Sequence, residues 1–455
     1  MRYYISIMKP HTRQMGAGPA MTRRHFIVLS TAGVVAVLAG CATDPVTGKK
    51  QFMLMSEAGE VGADKESSPH QLSADYGALQ NAGLNRYITT VGDLLAAKSH
   101  RPAMAYTFRG VNAVYVNAYA FPAGTIAVTR GMLIDLQSEA ELAALLGHEI
   151  GHVCARHAAE QATKGIVSSA VVTGLAAFVQ YQFDGYGDLT SGLGMVATGA
   201  LLARYSRADE READALGLEY MTRAGYNPEG SIALMDILRK LSKDKPNVIE
   251  LLFATHPMSE ERYQTAVEAV RTKYAAAKSN PLNRERYMDA TASLRAIKGA
   301  IEQMQNGEKA MSSGKFGEAS ACFENGLRQA PDDYAGLLML ARCRLMQKQG
   351  ADADRLARAA QAAYAGEPLA VYISGMAKLQ TRAFDAAFQE FARYESLLPG
   401  NPNTTYFKGF CMEGADRRQQ AAEHYQRFLN SVRQGEYAEH AYKKLVEWGY
   451  VKRGA

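Results

Sequence analysis

The chain reads as two units: a mostly helical α+β unit with a small sheet, then an all-α solenoid. Two patterns predict this. Between residues 71 and 275, helical periods flank a short run of β-branched and aromatic alternation at 105–129. From about residue 300 the sequence repeats every 34 residues. At 455 residues there is room for two or three domains. The formal charge of +5, with 21% charged residues and no dense Lys/Arg run, gives no sign of nucleic-acid binding.

Residues 1–40 read as a secretory signal. Arg23 and Arg24 precede an apolar run from Phe26 to Ala39, too short to span a bilayer comfortably. The ending Leu38-Ala39-Gly40-Cys41 resembles the bacterial lipobox, which implies a lipid on Cys41. Ala42 in place of an Asp after that Cys favours the outer membrane. The paired arginines also resemble a twin-arginine export signal, and Met21 is a second start candidate. Residues 41–70 are rich in Gly, Ser, Pro and charge and read as a tether. An envelope compartment permits disulfides, and Cys322 and Cys343 are one candidate pair.

Helical periodicity begins near Leu72 and runs to Leu95. Strands are expected at 105–108, 114–119 and 125–129, with a turn at Pro122-Ala123-Gly124. A sheet edge beside a metal can hold an extended peptide by β-addition, which makes Asn117 a candidate substrate contact. An ordinary core sheet is the commoner reading. Ser138 then starts a helix, with Glu141 placed for a capping box. Gly147 and Gly151 inside that helix each cost about 1 kcal/mol against Ala, which suits a close approach of some other group.

That helix carries His148-Glu149-Ile150-Gly151-His152, an H-E-x-x-H pattern. Four residues of helix put both imidazoles on one face, the geometry needed to share a zinc ion. Glu149 lies one step round and can reach a water at the same ion. A third His on the extended H-E-x-x-H-x-x-G-x-x-H motif is excluded, because those positions are Ala155 and Ala158. His157 is one residue off and reads as a surface group or a support behind a ligand. A carboxylate on a later helix is the remaining candidate. Glu210 and Asp214 lie one turn apart on one face, with Glu212 pointing nearly opposite. Glu210 would then bind metal and Asp214 would back an imidazole; a solvated acidic face is the commoner reading of such a pattern. His256, before Pro257, is a loop residue, a fourth ligand or an oxyanion donor. Arg262 follows it and joins Asn117 as a candidate substrate contact. Residues 165–203 are apolar and small, read as helices packed near the site.

The H-E-I-G-H motif, Ser206-Arg207 through Glu210 and Asp214, Thr255-His256-Pro257 with Arg262, and Val116 to Gly124 occur together here. In that order they resemble the HtpX-like and CAAX-prenyl-protease-like zinc metallopeptidases, over roughly residues 41–275. Ala123 departs from that family's usual Gly. The resemblance implies a zincin-type (gluzincin) fold and one zinc per chain on His148, His152 and Glu210. It makes Glu149 the catalytic acid/base and His256 a candidate regulatory ligand. It implies a zinc endopeptidase of protein substrates.

The 34-residue repeats resemble four tetratricopeptide units over 300–435, after a linker helix at 276–299 and before a capping helix and tail at 436–455. Gly307, Ala341, Gly375 and Gly409 fall in register, as do Phe323, Ala357, Phe391 and Tyr425. Small residues let paired helices approach, and the aromatic fills the gap. Such a solenoid offers a surface for protein partners. The expectation is a lipid-anchored envelope endopeptidase on the periplasmic face of the outer membrane, acting in quality control or assembly of outer-membrane proteins. The alternative is a latent or non-catalytic zinc-containing scaffold.

Overall fold

The computed structural model describes residues 41–171 and 205–451. The expected signal segment, most of the apolar stretch at 165–203 and the last four residues lie outside the described residues.

Residues 41–70 depart from the tether expected there. β1 (Cys41–Thr43) and β2 (Lys50–Phe52) pair antiparallel. α1 (Glu57–Ala74) follows, capped by the Ser56 side chain, which accepts from Gly59 N. Its buried members include Glu60, Asp64 and Gln71. Glu60 pairs with Arg156 at 2.7 Å and Arg101 at 3.3 Å. Asp64 Oδ2 accepts from the N–H groups of Ala123 and Thr125. Ion pairs and hydrogen bonds hold this helix, so no apolar period announces it.

α2 (Ala82–Ala96) leads to a three-stranded sheet of β3 (Thr107–Val111), β4 (Ala118–Ala120) and β5 (Thr125–Thr129). The order is β3-β5-β4, with β3 parallel and β4 antiparallel to β5. The first two strands are shifted or shorter than the alternation suggested. β4 is an edge strand, yet all three of its residues are buried. After the short α3 (Arg130–Leu133) comes α4 (Glu139–Cys154), which holds the H-E-x-x-H motif. Ser138 caps it by accepting from Glu141 N, but the Glu141 carboxylate turns to Gln137 N, so the reciprocal half of the expected capping box is displaced by one residue. α5 (His157–Val171), α6 (Arg207–Arg223), α7 (Glu229–Asp244), α8 (Pro246–Thr255) and α9 (Glu260–Arg271) complete the first unit. A full capping box of Ser206 and Asp209 starts α6.

The expected linker helix is broken into a 3-10 turn (Ala275–Ser279) and the short helices α10 (Arg284–Ala290) and α11 (Ala292–Ala296). They are pinned to the first unit: Tyr287 Oη donates to Leu133 O at 2.6 Å, and Arg286 pairs with Glu139.

Four helix pairs then stack: α12 (Lys298–Ser312) with α13 (Phe316–Gln329), α14 (Tyr334–Met346) with α15 (Gly350–Ala363), α16 (Leu369–Gln380) with α17 (Phe384–Leu397), and α18 (Pro402–Gly414) with α19 (Arg418–Ser431). α20 (Glu436–Glu447) caps the stack. A Cβ on Gly307 would lie 2.3 Å from the Phe323 ring, one on Gly375 2.9 Å from Phe391, and one on Gly409 2.8 Å from Tyr425. The aromatic of each of these units therefore fills the space its own glycine leaves. The solenoid does not stand apart. Arg130 forms a buried fork with Asp333 at 2.5 and 3.0 Å, and Gln305 Nε2 donates to Val114 O at 2.7 Å. One hydrophobic core runs from Tyr76 through to Leu445. Cys154, Cys322, Cys343 and Cys411 are free thiols, so the candidate disulfide is not formed.

Candidate metal centre

The centre is built where α4 and α6 cross. Gly147 and Gly151 lie one turn apart on α4, facing Gly217 and Ala213 of α6. A Cβ on Gly147 would sit 2.9 Å from Gly217 O, and one on Gly151 would sit 2.9 Å from Ala213 O. Backbone meets backbone here, so the two glycines that weaken α4 as a helix permit its contact with α6. Glu210 lies seven residues before Gly217, on the same face, and is carried to the two histidines.

His148, His152, Glu210 and His256 converge, each offering an atom within 4.8 Å of the others. His152 Nε2 is 3.0 Å from His148 Nε2 and 3.3 Å from Glu210 Oε1. His256 Nδ1 is 2.9 Å from Glu210 Oε1 and 3.5 Å from His148 Nε2. Ligands about 2.0–2.1 Å from a tetrahedral zinc stand roughly 3.3 Å apart, so these separations fit that ion. Glu210 Oε2 is buried and makes no hydrogen bond, although Arg262 Nη1 lies 2.6 Å away. Arg262 thus neutralises Oε2, while Oε1 faces His152 and His256 and is the oxygen placed to bind a divalent cation. The donor set of imidazoles and one carboxylate suits zinc.

The remaining atoms of the two motif histidines are occupied from behind. His148 Nδ1 lies 3.0 Å from Asp214 Oδ1, and His152 Nδ1 lies 2.9 Å from His157 Nδ1. Both rings therefore turn Nε2 inward. His157 is buried, not at the surface, and its Nε2 is 3.5 Å from Glu212, the carboxylate on the other side of α6. Arg262 grips Asp214 through Nε at 2.6 Å and Nη2 at 2.7 Å, and donates to Pro257 O at 2.9 Å. It thereby ties α6 to the loop that carries His256. Tyr205, which sequence reasoning missed, stacks on His152 with centroids 3.9 Å apart, and its N–H donates to Thr255 O at 3.1 Å. Its place just before the Ser206 cap was the one available signal. Cys154 is buried beside Tyr106 Oη at 3.5 Å, away from the donors.

Burial and charge set the protonation of the centre. Burial pushes the His152 imidazolium well down, towards the neutral ligand form. Burial also opposes charge on His148, but the Asp214 and Glu210 carboxylates outweigh it and raise that group. Burial would raise Glu210, yet the His152 and His256 imidazoles hold it far below the usual carboxylate range. Glu149 is raised, chiefly by burial, with His256 and His148 acting against the shift. Asn117, just before β4, is 1% exposed, and neither atom of its amide has a partner.

Two regions of the chain match known protein families. Residues 82–270 match peptidase family M48, and residues 310–377 match a tetratricopeptide repeat. The chain is similar to the mitochondrial metalloendopeptidase OMA1 of Arabidopsis thaliana, 35% identical over 38% of this chain and 33% of that protein. It is 31% identical to a putative beta-barrel assembly-enhancing protease of Vibrio cholerae, over 41% of this chain and 39% of the relative. With the beta-barrel assembly-enhancing protease of Yersinia pestis it shares 24% identity over 73% of each chain. The first two matches thus span only a third to two-fifths of those relatives. The chain carries a peptidase family M48 domain followed by tetratricopeptide repeats.

Proposed function

We propose that the protein is a zinc-dependent endopeptidase of the bacterial cell envelope, cutting misfolded or assembling envelope proteins. One observation supports this above others. His148, His152 and Glu210 converge within 3.0–3.7 Å, and the buried Glu149 lies on the helix that carries the two histidines. Zinc, when bound there, polarises a peptide carbonyl and acidifies water. Glu149 then takes the proton of the attacking water and delivers it to the leaving amine. Burial raises its pKa above the ordinary carboxylate value, the direction that favours proton acceptance. Asp214, His157 and Arg262 hold the ligand arms in place. Asn117, with its amide unspent, is the proposed contact to the peptide backbone, and β4 supplies a sheet edge beside it.

The envelope location rests on the sequence of residues 23–41, with Cys41 as the proposed lipid-bearing residue. No helix among the described residues is long and apolar enough to cross a membrane. The repeats are the proposed docking surface for protein substrates or for outer-membrane assembly machinery. Glu149→Gln tests the chemistry: hydrolysis of an unfolded envelope protein should stop while zinc stays bound. Persistent cleavage would remove Glu149 from its role.

A second reading has its own support. His256 lies within the donor set, so it can serve as a fourth protein ligand and leave the protein latent or a scaffold. His256→Ala separates the two: increased cleavage indicates a latent peptidase, and none indicates a scaffold.

A further inference from the structure

We infer that the cavity beside Glu149 is a subsite for a bulky apolar side chain adjoining the bond to be cut. This rests on the peptidase reading and adds a preference to it. The cavity measures about 200 Å³ and has the Glu149 and His148 side chains in its wall. Much of the remaining wall is apolar, with Leu145 from α4, Leu234, Met235 and Leu238 from α7, and Phe253 from α8, although Arg211, Asp214, His256, Arg262 and Lys273 also line it. An apolar cavity of about 150 Å³ accepts benzene, so this one has room for a phenyl or branched aliphatic group.

Charge argues the same way. Asp214 and Arg262 line the cavity but are paired with each other at 2.6 Å. Arg211 is paired with Glu261 at 3.3 Å, and Lys273, exposed, has its Nζ 4.9 Å from the Tyr274 ring centroid. A charged guest would lose its hydration, and an acidic one would gain at most the exposed, solvent-screened Lys273. A small guest would leave apolar surface uncovered. Space is kept partly by small residues such as Ala269 on α9.

The test uses the full zinc-loaded chain, as wild type and as His256→Ala, so that a fourth ligand cannot mask the pocket. Two dipeptide hydroxamates differ only in carrying benzyl or methyl beside the chelating group. Calorimetry should show the benzyl compound binding at least about 10-fold tighter, since a single methylene in an apolar pocket is worth about 10- to 200-fold. Ala269→Leu narrows the cavity and should abolish that ratio. Met235→Ala widens it and should extend the preference to an indolyl group, a readout that survives if the first variant does not fold. Equal affinity for benzyl and methyl in both backgrounds would overturn the subsite. Cleavage of a mixed peptide library should enrich Phe, Leu and Met at one position next to the cut; cleavage without such enrichment overturns the subsite and leaves the peptidase reading standing. Benzyl preference with no cleavage in either background does the reverse.

Discussion

Substituting Gly217 tests whether the helix crossing positions the ligands. In Gly217→Ala the new Cβ would stand 2.7 Å from His148 N and 2.9 Å from Gly147 C, both backbone atoms that no rotamer change can move. Ordinary contact begins near 3.4 Å, so α4 and α6 must part by about 0.7 Å. Overpacking of this kind costs about 1–3 kcal/mol, while Gly→Ala within a helix returns about 1 kcal/mol. The net change in apo-protein stability is therefore small, between zero and about 2 kcal/mol of loss. The metal pays no attention to that cancellation. Ligand distances tolerate only about 0.2 Å, and Glu210 moves with α6, so zinc affinity should fall at least 10- to 100-fold. Competition with a chromophoric chelator measures the affinity, and thermal unfolding of the apo form measures the fold. Gly62→Ala, in α1 with nothing within 4 Å of the new Cβ, is the control: up to about 1 kcal/mol more stable, with zinc binding unchanged. Unaltered zinc affinity in Gly217→Ala would refute the idea that this crossing sets the ligand geometry.

Three further outcomes are expected. Arg262→Met leaves the buried Glu210 and the part-buried Asp214 without their cation, which should cost about 3–5 kcal/mol in urea unfolding, and Arg262→Lys should restore little of it because the two-pronged contact is lost. Burial opposes charge on Asp333, but Arg130 holds its carboxyl below the usual value, so its contribution to stability is complete above the unfolded pKa of about 3.9 and is lost as pH falls through the lower folded value. Unfolding of wild type and Arg130→Met compared across pH 2–7 should show the wild-type advantage shrinking only at the acid end. Chelation should lower the midpoint of thermal unfolding and added zinc should restore it, by about 4 kcal/mol at a thousandfold excess over Kd; an unchanged midpoint would mean that the cluster holds no metal.

The sequence revealed the parts whose physics is local. The H-E-x-x-H spacing is read from helix geometry alone, and the 34-residue register follows from small residues facing aromatics in the same unit. Glu210 is singled out by its helix face and by the family resemblance, while the contact of α6 with α4 that carries it to the histidines is not legible. What stayed hidden depends on contacts between distant segments. α1 buries Glu60 and Asp64 rather than an apolar stripe, so its pattern resembles a solvated tether. Tyr205 gives no periodic signal, since it acts by stacking on a ring some fifty residues earlier in the chain. Arg262 appears in sequence as a free cation near a site, whereas its guanidinium is taken up by two carboxylates and a carbonyl.

Stacked repeats lean only on their neighbours, so each open end is a place to fray. In this protein the two ends are not equivalent. α12 enters the stack already seated, with Met304 Sδ 3.2 Å from Arg130 Nη2 and Gln305 bonded to Val114. Among the described residues, the opposite end is closed by α20. Opening should therefore start at the C-terminal unit and run backwards, so that amide exchange slows from α19 towards α12. The folded peptidase unit acts as the stopper for the solenoid, and a fragment beginning at Lys298 would expose Ile301 and Met304, which are fully buried in the intact chain.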